Sequence, residues 1–138
     1  MKTIVKFKEP THWKTLSGWW DERNFPCPPL EFLPRRGAVV MIDDKPVCAG
    51  FITFTDAGCA VIGHLVSDPK VEGQIRHAAL DDLIQYLIET ARMFGFKAVF
   101  ASASQNLPKL KERFEKLGFQ QTDSNINCFG RILCPMDS

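Results

Sequence analysis

The sequence predicts a mixed α+β domain, and three observations lead to that class. Three apolar runs between residues 37 and 66 are joined by connections too short for a crossover, so they form an antiparallel meander. A long amphipathic helix follows them, and then a buried strand and a second helix. The full predicted order is β, α, three strands, α, β, α, β, β. At 138 residues the chain is expected to be a single domain spanning 1–138.

The N-terminal third predicts a strand, a helix and a loop. Apolar and polar residues alternate over 3–8, and Pro10 ends this strand. Thr11 can cap a helix running from about His12 to Arg23. Three prolines between Phe25 and Pro29 then predict an irregular, rigid loop.

The long helix is predicted between Arg76 and Gly95, because apolar residues recur there with the helical spacing of three and four. Gly95 stands where a helix needs a left-handed residue to end. The apolar stripe of this helix consists of Leu80, Leu83, Ile84, Leu87, Ile88, Ala91 and Phe94.

Residues 98–101 predict a buried strand, and Asn106 is a good N-cap for the next helix, with Pro108 tolerated in its first turn. Gly118 ends that helix. Two short strands, about 119–122 and 126–133, are predicted to complete the sheet. An unpaired final strand would allow two chains to form a homodimer.

Composition limits the class of partner. Lys and Arg number 17 and Asp and Glu 16, so the net charge of +1 provides no overall attraction to nucleic acid or to an anionic membrane. No apolar run reaches the roughly 18–20 residues of a membrane span. Five cysteines without a CxxC pair predict a reducing, cytoplasmic setting, and the histidines and cysteines lack the spacing of a metal site.

Three segments carry a resemblance to a known family. One helix ends in Phe114-Glu115-Lys116-Leu117-Gly118-Phe119, one strand ends in Leu65-Val66-Ser67-Asp68-Pro69, and the long helix ends in Ala91-Arg92-Met93-Phe94-Gly95. With the element order, these segments resemble the GNAT superfamily of N-acetyltransferases over about 37–119. The resemblance implies a mostly antiparallel central sheet flanked by helices, with a splayed strand pair that holds acyl-CoA. It also implies transfer of an acetyl group from acetyl-CoA to an amine of a small molecule or a protein.

The resemblance further implies cofactor-binding positions. In the family, the fourth strand pairs with the pantetheine arm, which corresponds to the backbone of Leu65 and Ser67. A helix N-terminus offers N–H groups and a positive dipole end to a pyrophosphate, and Lys70 would be a nearby cation. The implied phosphate-binding loop contains Gln74, Ile75, Arg76, His77, Ala78 and Ala79, and Asn106 matches a further position that often contacts the cofactor.

The sequence departs from the family in this loop, which normally contains two glycines. One alignment places His77 and Ala79 at the glycine positions, and another places Ala78 and Leu80 there. The loop after Pro69 is also predicted to be longer than is usual in the family.

The catalytic positions depart as well. The Glu that many members carry on strand four corresponds to Gly63, so the adjacent His64 is the candidate base. The Tyr that protonates the departing thiolate corresponds to Phe114, and the one tyrosine of the chain, Tyr86, lies in the long helix. Transfer can still proceed by positioning, with water relaying the proton.

Two other readings compete with acetyl transfer. A catalytically inactive GNAT-fold module could act through protein partners of the first helix. Its Trp13, Trp19 and Trp20 could line an acceptor pocket, although a place in the core or on a partner surface is the commoner use. A nucleotide-binding α/β domain is disfavoured, because a meander precedes the long helix and no glycine-rich loop follows a strand.

Overall fold

The computed structural model describes residues 1–103, 108–124 and 126–133. The strands are β1 (Lys2–Lys6), β2 (Arg36–Ile42), β3 (Lys45–Phe54), β4 (Cys59–Ser67) and β5 (Ala98–Ala101). The helices are α1 (Trp13–Glu22), α2 (Gly73–Met93) and α3 (Pro108–Lys116), and a short 3₁₀ turn covers Leu30–Phe32.

The strands form one sheet in the order β1-β2-β3-β4-β5. The first four are antiparallel neighbours, and β5 pairs in parallel with β4. Asp43 and Asp44 have φ angles of 50° and 65°, the left-handed conformation that a tight hairpin between β2 and β3 requires. The predicted meander and the mixed α+β class are therefore confirmed.

The two faces of the sheet are covered by different helices. On one face, Leu83 and Leu87 of α2 are buried against Ile52 and Ile62. On the other, α1 packs its apolar side on Phe51 and its neighbours. The buried residues of α1 are Leu16, Trp19 and Trp20.

The burial of α1 decides the role of the tryptophans. Trp19 is 4% and Trp20 5% exposed, and half-buried Trp13 packs against the same cluster. Of the roles open to them, the core role is confirmed for Trp19 and Trp20, and these two side chains form neither an acceptor pocket nor a partner surface because they are buried.

The helix starts differ from the prediction. His12, not Thr11, is the N-cap of α1, and its Nδ1 accepts a hydrogen bond from the Lys8 N–H at 2.9 Å. α2 begins at Gly73, before the predicted Arg76, with Glu72 as its N-cap. The ends agree with the prediction, since Gly95 has a φ of 85° just after α2.

The C-terminal part also differs. α3 ends near the predicted Gly118, which has a φ of 95°, whereas Asn106 lies outside the described residues. The two predicted final strands are wrong, since the described residues of 119–124 and 126–133 contain no strand. An alternating sequence supplies strand propensity, but a strand also needs a partner ladder. In the described ranges no helix is long and apolar enough to cross a membrane.

Candidate active site

The candidate site lies where β4 and β5 stop pairing. Residues 59–62 of β4 pair with 98–101 of β5, but β4 continues to Ser67. Opposite this end of β4 the register with β3 shifts, so that Ala49 faces Val66 and Phe51 faces Gly63. The extra residue in β4 is a β-bulge, and His64 within it has a φ of 53°. The ladder ends here, as the predicted splayed pair requires.

Beyond the bulge, one edge of β4 pairs with no strand among the residues that the structure describes. The Asp68 N–H donates to the Val47 carbonyl of β3 at 2.8 Å. Backbone groups alternate in direction along a strand, so those of Ser67 and Leu65 face away from β3. The structure thus places both predicted pantetheine-binding residues on the free edge.

Arg23, just after α1, occupies part of this edge. Its Nε donates to the Ser67 carbonyl at 3.1 Å, and its Nη2 donates to the Ser67 hydroxyl at 2.8 Å. Burial, and then the charge of Arg76, lower the pKa of Arg23. The sequence contains no motif that identifies Arg23, because its role depends on how α1 lies across the sheet.

The connection from β4 to α2 is residues 68–72, so the apparent extra length of the loop belongs to the first turns of α2. The Glu72 carboxylate accepts from the Gln74 N–H at 3.2 Å. Lys70 is 3.2 Å from the Glu22 carboxylate, and Arg76 donates to the Val71 carbonyl at 2.8 Å. The predicted phosphate-binding groups therefore have partners within the chain.

The remaining predicted loop residues lie on α2, and the prediction that they form a loop is wrong. Glu72 starts the helix early, which gives Gln74–Ala79 helical backbone hydrogen bonding. Gln74, Ile75 and Ala78 are exposed, whereas the side chain of Ala79 is fully buried in the core.

His77 points toward α3. Arg113 donates to the His77 carbonyl at 2.9 Å and also contacts its Nδ1. Arg113 is further ion-paired with Asp81, which also accepts from Lys116 at 2.7 Å. Burial, and then the Arg113 charge, lower the pKa of His77. Between the helices lies a cleft of about 280 Å³, lined by His77, Lys109, Glu112, Arg113 and Lys116.

The basic side chains of this cleft were missed by the sequence reasoning. Their signal is the run of cations at 109, 111, 113 and 116, which a helix distributes over two faces. Only the packing of α3 on α2 shows that Lys109, Arg113 and Lys116 share a cleft with His77.

His64 is the candidate base, and the bulge sets its position. It is exposed, and its ring stands edge-on to Phe51 with centroids 6.2 Å apart. Partial burial lowers its pKa, so the ring is neutral at pH 7 and able to accept a proton. Beside it, a Cβ added at Gly63 would meet no atom within 4 Å, so this position is open.

The residue at the usual Tyr position, Phe114, has no proton to donate, and its side chain packs in the interior. Phe114 is 6% exposed and packs on Phe119 with ring centroids 5.0 Å apart. Tyr86 lies in the middle of α2 and is exposed. Phe114 is therefore a core residue.

Metal ligands and reactive thiols do not converge within the described ranges. No three side chains of His, Cys, Asp or Glu there lie close enough to hold a metal ion. Cys48 is buried, which raises the pKa of its thiol to about 12 and makes it unreactive.

Comparison with known proteins gives likeness of structure without likeness of sequence. No protein-family model matches the chain, and no curated protein matches it. A ribosomal-protein-S18-alanine N-acetyltransferase from Escherichia coli is similar, with a TM-score of 0.75 and 16% identity over 89% of this chain and 80% of that one. A transcriptional regulator from Bacillus halodurans C-125 has a TM-score of 0.72 and 14% identity, covering 94% of this chain and 100% of its own.

A third similar structure was solved with bound ligands. N-acetylglutamate synthase from Neisseria gonorrhoeae, solved with coenzyme A and N-acetylglutamate, has a TM-score of 0.61 and 20% identity. The match covers 82% of this chain and 28% of the synthase. At these identities the comparisons establish the fold.

Proposed function

Because this chain has the fold of the GNAT acetyltransferases, we propose that it transfers an acetyl group from acetyl-CoA to an amine of a small molecule or a protein. The observation that carries the proposal is the free edge of β4, where the backbone groups of Leu65 and Ser67 face away from β3. The amides of a pantetheine arm can pair with such an edge as a further strand would, once Arg23 releases the Ser67 carbonyl that it now holds.

The surroundings of the edge suit an anionic cofactor. Arg76 lies close enough to Arg23 for its charge to lower the pKa of Arg23. Together the two arginines raise the positive potential at the end of β4. The N-terminus of α2 adds its dipole. The Glu72 carboxylate disfavours a phosphate at this position, because it already accepts the Gln74 N–H and would have to turn away before a phosphate could accept it. We therefore expect weaker binding than a glycine-rich loop gives.

The chemistry required of the protein is modest. Acetyl-CoA supplies an activated thioester, which an uncharged amine attacks directly. His64 can take the proton that the amine loses, because partial burial keeps its pKa low and its ring neutral. A thiolate is a good leaving group, with a thiol pKa of about 8.5, and can take its proton from water. Positioning of the two reactants then supplies most of the rate enhancement.

The alternative hypothesis is an inactive module that acts through protein partners, and one of the observations that supported it does not hold. The buried Trp19 and Trp20 do not provide a partner surface. Gly63 and Phe114 at the usual Glu and Tyr positions remain compatible with it. Release of CoA thiol in the presence of amines separates the two readings.

Calorimetry with acetyl-CoA and with desulfo-CoA tests the cofactor site. We expect both to bind, and Arg76→Ala to weaken binding about tenfold, or about 1.4 kcal/mol. Arg92→Ala is the matched control, since this arginine lies at the far end of the same helix and is exposed. If neither ligand binds the native chain, the proposal is wrong.

Thiol release across a panel of small amines and amine-bearing peptides then tests catalysis. His64→Ala should lower the rate most near neutral pH, where the imidazole is unprotonated and can act as a base, and should matter less at low pH, where the imidazole is already protonated. If cofactor binds but no amine yields thiol, the inactive module is favoured.

A further inference from the structure

The edge of β4 that faces away from β3 is already held by a side chain of the same molecule. Arg23, the residue that follows α1, donates from Nε to the Ser67 carbonyl at 3.1 Å and from Nη2 to the Ser67 hydroxyl at 2.8 Å. Ser67 is only 7% exposed, so the guanidinium leaves little room for a second donor. A ligand that is to pair with this carbonyl must therefore displace Arg23.

The contact closes the edge against a neutral ligand. An amide N–H that takes the place of Arg23 replaces a charge-assisted hydrogen bond with an ordinary one, which is about half as strong. It also leaves the buried Ser67 hydroxyl without the donor that it has now. Pairing with the amide of a pantetheine arm alone therefore does not offset the loss of the arginine contact.

An anion changes this balance, because a second cation lies beside the first. Burial, and then the charge of Arg76, lower the pKa of Arg23, so the two guanidinium groups lie close enough to repel each other. Arg76 donates to the Val71 carbonyl at 2.8 Å, just before α2 begins. A phosphate that pairs with both arginines removes their repulsion, and a guanidinium binds a phosphate more strongly than a neutral carbonyl. A phosphate at the end of β4 can therefore take Arg23 from Ser67.

We propose that Arg23 makes the edge of β4 selective for an acyl donor that carries a phosphate next to its pantetheine arm. The phosphate pairs with Arg23 and moves the guanidinium away from Ser67, and the Ser67 carbonyl then accepts from an amide of the arm. A neutral thioester has no group that displaces the arginine, so it is rejected. The proposal rests on the proposed function and deepens it, since it assigns the choice of donor to one residue.

The same arrangement couples the two parts of the donor. Once a phosphate has displaced Arg23, the arm no longer has to break the arginine contact, and its own binding becomes more favourable. Such coupling is reciprocal and commonly amounts to about 5–150-fold in affinity. It does not require that the phosphate and the arm belong to one molecule.

Calorimetry with S-acetylpantetheine, which has no phosphate, tests the selectivity. We expect Arg23→Ala to bind this thioester roughly tenfold more tightly than the native chain, because the edge is then open. Arg35→Ala is the matched control, since Arg35 is exposed and its removal should leave the binding unchanged. Circular dichroism verifies that each variant is folded.

Ser67→Ala is a second variant, which decides the question if Arg23→Ala does not fold. It keeps the charge of Arg23 and removes one of its two hydrogen bonds, so S-acetylpantetheine should bind roughly three- to tenfold more tightly than to the native chain. A role of Arg23 that is limited to attracting phosphate predicts no change in either variant, because this thioester is uncharged.

Inorganic pyrophosphate, added as a separate molecule, tests the coupling. We expect saturating pyrophosphate to tighten the binding of S-acetylpantetheine to the native chain by about fivefold or more and to have no such effect on Arg23→Ala. Because S-acetylpantetheine carries no charge, general electrostatic attraction does not produce this result.

The two possible failures are distinguishable. Acetyl-CoA that binds the native chain, together with an Arg23→Ala or Ser67→Ala variant that gains no affinity for S-acetylpantetheine, would overturn this proposal and leave the proposed function standing. Native binding of S-acetylpantetheine that is unchanged by pyrophosphate would do the same. If the native chain and Arg23→Ala bind neither thioester, the proposed function is wrong and this proposal is wrong with it.

Discussion

Arg23 ties α1 to the free edge of β4 through one buried residue. Ser67 is 7% exposed, so water has little access to its carbonyl and hydroxyl, and the guanidinium supplies both hydrogen bonds. The arginine is itself partly buried beside Arg76, and that cost is offset by two charge-assisted bonds in the fork geometry of a guanidinium. The residue therefore joins stability and the candidate site.

Arg23→Ala should lower the free energy of unfolding by about 1–3 kcal/mol, because it leaves the buried Ser67 groups without partners. Urea denaturation measures this loss. Arg35→Ala is the control, since Arg35 is exposed and its removal should change stability by less than about 0.5 kcal/mol. Equal effects of the two substitutions would show that water replaces Arg23 at Ser67.

At the scale of elements, α3 is held to α2 by charge. The Arg113 side chain is 9% exposed, and Asp81 is its carboxylate partner. The same arginine reaches His77, so two residues of α2 depend on one guanidinium of α3. Removing the carboxylate leaves a largely buried cation without its ion pair, which is costlier than losing a surface pair.

Asp81→Asn should therefore destabilise the domain by about 2–4 kcal/mol and increase amide exchange across α3. Asp82→Asn is the matched control, because its pair with Lys2 is exposed and worth about 1 kcal/mol or less. Unfolding and hydrogen exchange measured on both variants check the prediction. Identical exchange in α3 would show that apolar packing alone holds this helix.

The elements also show what the sequence could predict. The meander and the end of α2 followed from short turns and from Gly95, which are local signals. The start of α2 did not, because Glu72 is a weaker N-cap signal than Ser, Thr, Asp or Asn and the apolar period begins only at Leu80. The prediction of two final strands was wrong for a non-local reason, because pairing depends on a neighbouring strand that the segment itself does not encode.

For the candidate site, the sequence could predict which residues lie on the edge of β4 that faces away from β3. Leu65 and Ser67 lie on the free edge because strand alternation fixes their direction. The contributions of Arg23 and Arg113 could not be predicted, because each bonds a residue more than 30 positions away. Such contacts follow from how helices pack on the sheet and on each other.

For the whole molecule, the three histidines share one property that matters for acid stability. The pKa values of His12, His64 and His77 are all lowered, in each case mainly by burial. The unfolded chain takes up protons near pH 6.5, where the folded chain does not. Above pH 6.5 the histidines therefore do not affect stability. Below pH 6.5 they lower the free energy of unfolding, and this loss increases as the pH falls.

We therefore expect the urea concentration at the midpoint of unfolding to decrease as the pH is lowered from 6.5 to 5, before most carboxylates titrate. A variant with all three histidines changed to Asn should lose most of this slope, because Asn takes up no proton. Unfolding measured at half-unit pH steps provides the check. An equally steep slope in the triple variant would assign the effect to other groups.

All three tryptophans of the chain lie on α1, so fluorescence emission reports on one layer of the molecule. Far-ultraviolet circular dichroism is dominated instead by α2, the longest helix, on the opposite layer. A urea titration followed by both signals therefore observes the two layers separately. Superimposed curves would mean that the sheet couples them in a single step. Emission that changes first would mean that α1 detaches early and takes Arg23 from Ser67, so that the edge of β4 opens in a domain that is otherwise still folded.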